Sequence, residues 1–277
     1  AMGISTELDP VLSFPLGANA ISILEACLAY QTMMTGELYG PINGSRSGTV
    51  PIITRIEDRE GTVIWEHRPE PRRVISRSIS IQISEILRLA MTHGTGRAAK
   101  DAVFLSLSGD GNEFRIPVPT FGKTGTANRF TNSSFVGLIP GGKPGGPGLE
   151  IEAGYVIGAY VGYDDNRPMK GKRTVIYGAS GALPLWIDTA NAIVNSRSYL
   201  RNLQVADLAF NMDWDDLKDE PGFQVIPVSP QTGLPMGSMS LGGQDGSPAV
   251  YAFGEINGNQ FNLKRIIEPI QGEEPNG

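Results

Sequence analysis

Apolar residues recur at three- and four-residue spacing in three stretches and at alternate positions in several others, which predicts a mixed chain of helices and strands. The first predicted helix covers 19–36. Ile21, Leu24 and Leu28 share a face, Ser22 and Glu25 can form a capping box, and Gly36 offers a stop. It reads as a core helix without catalytic residues. A second helix over 78–93 repeats Ile79, Ile83, Ile86, Leu87 and Ala90 at helical spacing and closes at Gly94. A third begins near Leu183 or Pro184, since proline is tolerated in a first turn, and Trp186, Ala190, Ile193 and Val194 form its buried stripe.

Between them the pattern shortens to strands. Residues 52–56 and 62–66 alternate around Asp58-Arg59-Glu60-Gly61, a hairpin signal. A second hairpin is expected over 103–118, around the turn Ser108-Gly109-Asp110-Gly111-Asn112. The runs 135–139 and 155–163 read as strands, the latter with small Gly and Ala that suit close packing against a helix. The segment 40–49 is Gly/Ser-rich loop, 68–73 a Pro/Arg connector, and 141–148 a flexible connection. Beyond Leu203 the pattern loosens into an acidic stretch at 214–220, a Gly-rich one at 242–246, a strand-like 249–256 and the basic pair Lys264-Arg265. Residues 1–203 are therefore expected as one domain segment, and 204–277 as a partly ordered C-terminal extension.

Bulk properties remove several classes. A net charge of -6 argues against a nucleic-acid partner, which needs a basic surface. The single cysteine, Cys27, cannot form an intrachain disulfide, and with only His67 and His93 beside it a Cys/His zinc cluster is not expected. No run reaches the ~18 apolar residues of a membrane span.

Candidate chemistry concentrates in Phe121-Gly122-Lys123-Thr124-Gly125-Thr126. A phosphate loop would need glycine five residues before the Gly-Lys pair. That position is Pro117, and Pro119 also lacks an N–H. The better reading is an edge strand that presents these residues to a peptide. Alternation puts the Thr124 and Thr126 hydroxyls on one face, where they can grip a carboxylate. Gly125 lets a substrate backbone lie close, and Lys123 adds positive charge if its stem or the strand's twist brings the ammonium round. The plainer reading is a Thr/Gly-rich strand with a solvated lysine.

Flanking segments favour the first reading. Pro15-Leu16-Gly17-Ala18 and His93-Gly94-Thr95-Gly96-Arg97-Ala98-Ala99 precede the strand. Ser134-Phe135-Val136-Gly137-Leu138-Ile139-Pro140, Tyr160-Val161-Gly162-Tyr163-Asp164-Asp165 and Gly181-Ala182-Leu183-Pro184-Leu185-Trp186 follow it. In this order they resemble the C-terminal part of the transpeptidase domain of class A (bifunctional) penicillin-binding proteins, from about Met2 to about Ala192. The Lys-Thr-Gly triplet is one of three motifs of the penicillin-binding serine acyltransferases. One departure is clear: the family's Asp-x-Trp-Phe after the triplet is replaced by Asn132, Ser133, Ser134 and Phe135. Thr95-Gly96-Arg97 can be read as an anion-binding loop or as a tight turn into a short helix.

The resemblance implies an α/β (α+β) penicillin-recognising fold, an antiparallel sheet flanked by helices and present only in part. It implies acyl transfer from D-Ala-D-Ala stem peptides of peptidoglycan, without metal or cofactor, facing the periplasm or the outer side of the cytoplasmic membrane. Thr124 and Thr126 would hold the terminal carboxylate beside Gly125, the Thr126 backbone N–H would supply half an oxyanion hole, and Lys123 would add charge. The family's Ser-x-x-Lys and Ser-x-Asn motifs are absent: no serine is followed by Lys at the third position or by Asn at the second. The nucleophile is then expected on a preceding segment or a partner chain, and this chain alone is expected to be inactive, binding β-lactams only with that segment present. A non-catalytic scaffold that kept the fold and lost the chemistry is the alternative. A serine β-lactamase would share the triplet but not the agreements around Gly94 and Gly181.

Overall fold

The structure is a computed structural model that describes residues 2–13, 17, 19–39, 53–68, 71–109, 112–144, 148–196 and 199, with backbone strands at 223–228, 250–257 and 260–261. In chain order the elements are α1 (Ile23–Thr35), β1 (Glu37–Tyr39), β2 (Arg55–Glu57), β3 (Val63–Glu66), β4 (Pro71–Arg73), α2 (Arg77–Thr92), β5 (Phe104–Gly109), β6 (Asn112–Pro117), β7 (Phe121–Thr126), β8 (Asn132–Gly142), β9 (Leu149–Gly162), α3 (Ala182–Val194), β10 (Phe223–Val228), β11 (Val250–Asn257) and β12 (Gln260–Phe261). The chain divides into two compact units, Ala1–Phe210 and Asn211–Gly277. The second contains an antiparallel β10-β11-β12 sheet. The 40–49 loop, most of Pro15-Leu16-Gly17-Ala18, the 214–220 and 242–246 stretches and Lys264-Arg265 lie outside the described residues.

The first unit is a mixed α+β arrangement around the antiparallel sheet β7-β8-β9. Both predicted hairpins form, β2 with β3 and β5 with β6. The sheet register fixes which side each residue faces. Thr124 lies opposite Phe135, and Phe135 opposite Ala159, so these three share a face with Trp186 of α3. The Phe135 and Trp186 rings sit 5.0 Å apart and tilted, and the indole N–H donates to the Ile157 carbonyl at 3.1 Å. Ile139, Val103, Ala190 and Val194, each fully buried, complete this core. The opposite face takes α1. A Cβ on Gly158 would meet Cys27 Sγ at 2.6 Å, so only glycine lets β9 and α1 approach this closely. Helices thus flank the sheet on both sides.

Helix starts follow local chemistry. Ser22 and Glu25 form the expected capping box, and Gly36 ends α1 with φ 75°, a left-handed cap. Glu25 also accepts from the Ser5 and Thr6 amides and hydroxyls at 2.8–3.0 Å. The Ser22 amide first, then the Thr6 and Ser5 donors, hold its carboxyl well below the usual carboxylate range. The start of α3 is capped from across the fold: the Ala182 amide donates to Ser133 Oγ at 2.9 Å, and that hydroxyl donates to the Tyr177 carbonyl.

Two helical faces differ from the pattern. The first helix starts at Ile23 rather than Asn19, so Ile21 precedes it and is 38% exposed; on α1 itself Leu28 is buried but Leu24 is 51% exposed. Its inner side is Glu25, Leu28, Ala29 and Thr32. On α2 the buried line is Ser80, Ser84, Leu87 and Met91, whereas Ile79 and Ile86 are 48% and 63% exposed. The reason is space: Ser80 sits where a Cβ on Gly36 would approach within 2.9 Å, a gap that takes a hydroxymethyl and not a branched chain. Periodicity located the helices; steric fit chose the face each one buries.

Candidate functional site

Strand β7 carries Lys123-Thr124-Gly125-Thr126 and is an edge strand, pairing only with β8 among the described residues. The phase of its ladder decides what the edge offers. Register places Lys123 opposite Val136 and Gly125 opposite Ser134, and the first residue after the strand, Ala127, donates its N–H to the Asn132 carbonyl at 3.0 Å. In an antiparallel ladder hydrogen-bonded pairs alternate with non-bonded ones. Lys123, Gly125 and Ala127 therefore bond to β8, and the backbone groups of Thr124 and Thr126 point to the open side. Gly125 has a steric role beyond letting a ligand approach. A Cβ there would run into the Ser134 hydroxyl directly opposite.

The lysine does come round. Its Nζ donates to the Thr124 carbonyl at 3.0 Å and to the Thr124 and Thr95 hydroxyls at 3.2 Å each, and those two hydroxyls are 2.6 Å apart. Ideal alternation would send Lys123 to the other face from Thr124, so the four-carbon stem supplies the reach. An ammonium, two hydroxyls and open-edge backbone groups thus converge at the middle of β7.

Thr95 reaches this point because α2 packs along β7 and the chain turns sharply after it. Gly96 N–H bonds back to the Ala90 carbonyl at 3.0 Å and Arg97 N–H to Gly94 at 3.2 Å, and a short 3-10 turn follows at Arg97–Ala99. The tight-turn reading of Thr95-Gly96-Arg97 is the correct one, since two of the N–H groups an anion would need are already used. The hydroxyl of Thr95 is what sequence reasoning missed. Its signal was its place between two glycines at the end of a helix preceding the Lys-Thr-Gly strand.

Thr126 is engaged differently from Thr124. Its hydroxyl accepts the Gly178 N–H at 2.9 Å, which pins the turn before α3 to the end of β7. A Cβ on Gly178 would lie 2.8 Å from both the Gly125 carbonyl and Thr124 Cβ. The two threonines therefore share a face as expected, with only Thr124 beside the lysine. Among the described residues no cluster of three His, Cys, Asp or Glu side chains could hold a metal ion, and no helix is long and apolar enough to cross a membrane.

No family model matches the chain. It is distantly similar to curated class A penicillin-binding proteins over most of its length. It is 24% identical over 223 residues to penicillin-binding protein 1B of Escherichia coli (strain K12), covering 80% of this chain and 22% of that protein. Identity is 28% over 186 residues with penicillin-binding protein 1A of Aquifex aeolicus, covering 66% and 20%. It is 30% over 207 residues with penicillin-binding protein 1A of Rickettsia conorii, covering 67% and 22%. The chain spans about a fifth of the length of the curated relatives it matches.

Proposed function

We propose that this chain forms the Lys-Thr-Gly wall of a peptidoglycan D,D-transpeptidase, within a penicillin-recognising fold whose remaining part, including the nucleophilic serine, lies on a preceding segment or a partner chain. A stem peptide ending in D-Ala-D-Ala lies along the open side of β7. Its terminal carboxylate sits against Thr124, Thr126 and the Lys123 ammonium. The serine attacks the amide carbon between the two D-Ala residues, and the Thr126 N–H stabilises the oxyanion. The C–N bond breaks, the terminal D-Ala leaves as the amine, and a second stem's amine then takes the acyl group from the serine. In this reading residues 1–203 complete the transpeptidase domain and 204–277 extend it, and the working site faces the periplasm or the outer side of the membrane.

The observation that carries the proposal is the ladder phase of β7, which leaves the Thr126 N–H on the open side one residue pair from the lysine-threonine cluster. A peptide added to a sheet edge gains main-chain hydrogen bonds from such groups. The absence of Ser-x-x-Lys from the sequence separates chain from nucleophile. A non-catalytic scaffold is disfavoured by α2, whose Ile79, Ile86 and Leu89 would remain in water in a finished molecule.

Intact-mass spectrometry of the purified chain after incubation with a β-lactam tests the separation. The expected result is an unchanged mass, and one covalent adduct refutes it. Isolation from the native source is expected to bring down a polypeptide, continuous with this chain or distinct, that contains Ser-x-x-Lys.

A further inference from the structure

Residues 166–181 hold four of the chain's 23 cations, Arg167, Lys170, Lys172 and Arg173, and none of its 29 acids. They form a small hairpin: Lys170 bridges Val175, and Gly171 N–H bonds to the Thr174 carbonyl at 2.8 Å. Arg167 is taken, stacked 4.0 Å over the Tyr163 ring and beside Asp165. Lys170, Lys172 and Arg173 are exposed and have no acidic partner among the described residues.

A hydrogen bond to Phe130 and one to Thr126 tie this hairpin to the end of β7 and the loop after it, and one between Ile176 and Met169 closes the hairpin itself. Met169 N–H donates to the Phe130 carbonyl at 2.8 Å, Ile176 N–H to Met169 at 3.0 Å, and Gly178 N–H to Thr126 Oγ1 at 2.9 Å. The loop it is tied to is strained. Arg129 and Phe130 are consecutive non-glycine residues in the left-handed region, with φ of 59° and 60°. Strain of this kind persists where surrounding contacts over-determine the backbone, and it concentrates at ligand-binding sites. Exposed Arg129 follows the end of β7 by three residues, next to the Phe130 that bonds the hairpin.

We infer that Arg129 with Lys170, Lys172 and Arg173 forms an anion-binding subsite for the upstream part of the peptide that lies along β7. The inference rests on the function proposed above. With the terminal carboxylate at Thr124 and the scissile carbonyl at the Thr126 N–H, the peptide runs antiparallel to β7 and its earlier residues pass toward Arg129. At roughly 3.4 Å per residue, the second and third residues before the carbonyl reach about 7–10 Å past Thr126. The ligand class is a D-Ala-D-Ala-terminated peptide with a carboxylate in that region.

The test is an amide-shift titration of the isotope-labelled chain with acetyl-Glu-Gly-D-Ala-D-Ala and its Gln counterpart. The Glu peptide is expected to move the amides of Gly125 and Thr126 and also that of Gly171. Exposed ion pairs change affinity by roughly two- to fivefold each, so it should bind about five- to tenfold more tightly than the Gln peptide. That advantage should vanish near 0.5 M salt, where the screening length falls to a few ångströms (about 4 Å). It should also vanish in the triple variant K170S/K172S/R173S, whose binding of the Gln peptide stays unchanged. Equal affinity of the two peptides, both moving Gly125 and Thr126, overturns the subsite and leaves the β7 site standing. Shifts at Gly171 without shifts at β7, as from any free anion, also overturn the subsite. No shift at β7 with either peptide sinks both.

Discussion

Helices α3 and α2 pack against the same sheet but are finished in opposite ways. On α3 the apolar side is hidden: Ala182, Leu183, Trp186, Ala190 and Val194 are all fully buried. On α2 two serines are buried, and among the described residues neither Ser80 Oγ nor Ser84 Oγ finds a hydrogen-bond partner, while Ile79, Ile86 and Leu89 are exposed. A helix turned this way has traded its best apolar contacts for a close fit to its neighbours, leaving burial incomplete. The α3 side reads as a closed core, and the outer side of α2 as a surface awaiting more protein. Because α2 also delivers Thr95 to Lys123, whatever covers it would lie near the site.

Breaking the closed side should have the largest effect. Trp186→Ala removes a fully buried indole and its bond to Ile157, and should cost about 3–5 kcal/mol in urea-unfolding experiments. Next is Gly178→Ala, whose Cβ would press on the Gly125 carbonyl and Thr124. A loss of about 1–3 kcal/mol is expected, with the Thr126 amide exchanging faster as the turn lifts from β7. The α1 cap is smaller: Ser22→Ala should cost about 1 kcal/mol. It also carries a pH signature. Glu25's folded value lies below its ordinary 4.5, so its stabilisation is present above that pH and is lost as pH falls below it. Wild type should therefore lose stability between pH 5 and 3 more steeply than Glu25→Gln. The smallest effect should be Ile86→Ser, within about 0.5 kcal/mol for the chain alone. A large loss there would mean that α2 is already covered and would erase the contrast with α3.

Where chemistry was local, the sequence was sufficient to read it. The Ser22–Glu25 box, the Gly36 stop, both hairpins, the three strands around Lys123 and the Trp186 stripe each depend on neighbours a few residues apart. What it could not supply was the identity of each face's neighbour. Five apolar positions on α2 outweighed Ser80 and Ser84 by hydropathy, yet the small hydroxymethyl groups fit the close approach near Gly36. The same limit hid Thr95, whose hydroxyl meets Thr124 across 29 residues of chain. The open side of Thr126 needed the register with β8, a long-range fact that alternation within one strand does not contain.

The central claim is that Lys123 and the edge of β7 serve a serine that this chain does not contain. Labelling with a fluorescent penicillin tests it most directly, on the chain alone and on the longest native polypeptide or complex that includes it. The account predicts no label on the chain alone, labelling of the larger species, and loss of at least tenfold in that labelling rate on Lys123→Ala, equivalent to about 1.4 kcal/mol in the barrier. Label on the isolated chain, or a larger species indifferent to Lys123→Ala, would contradict it.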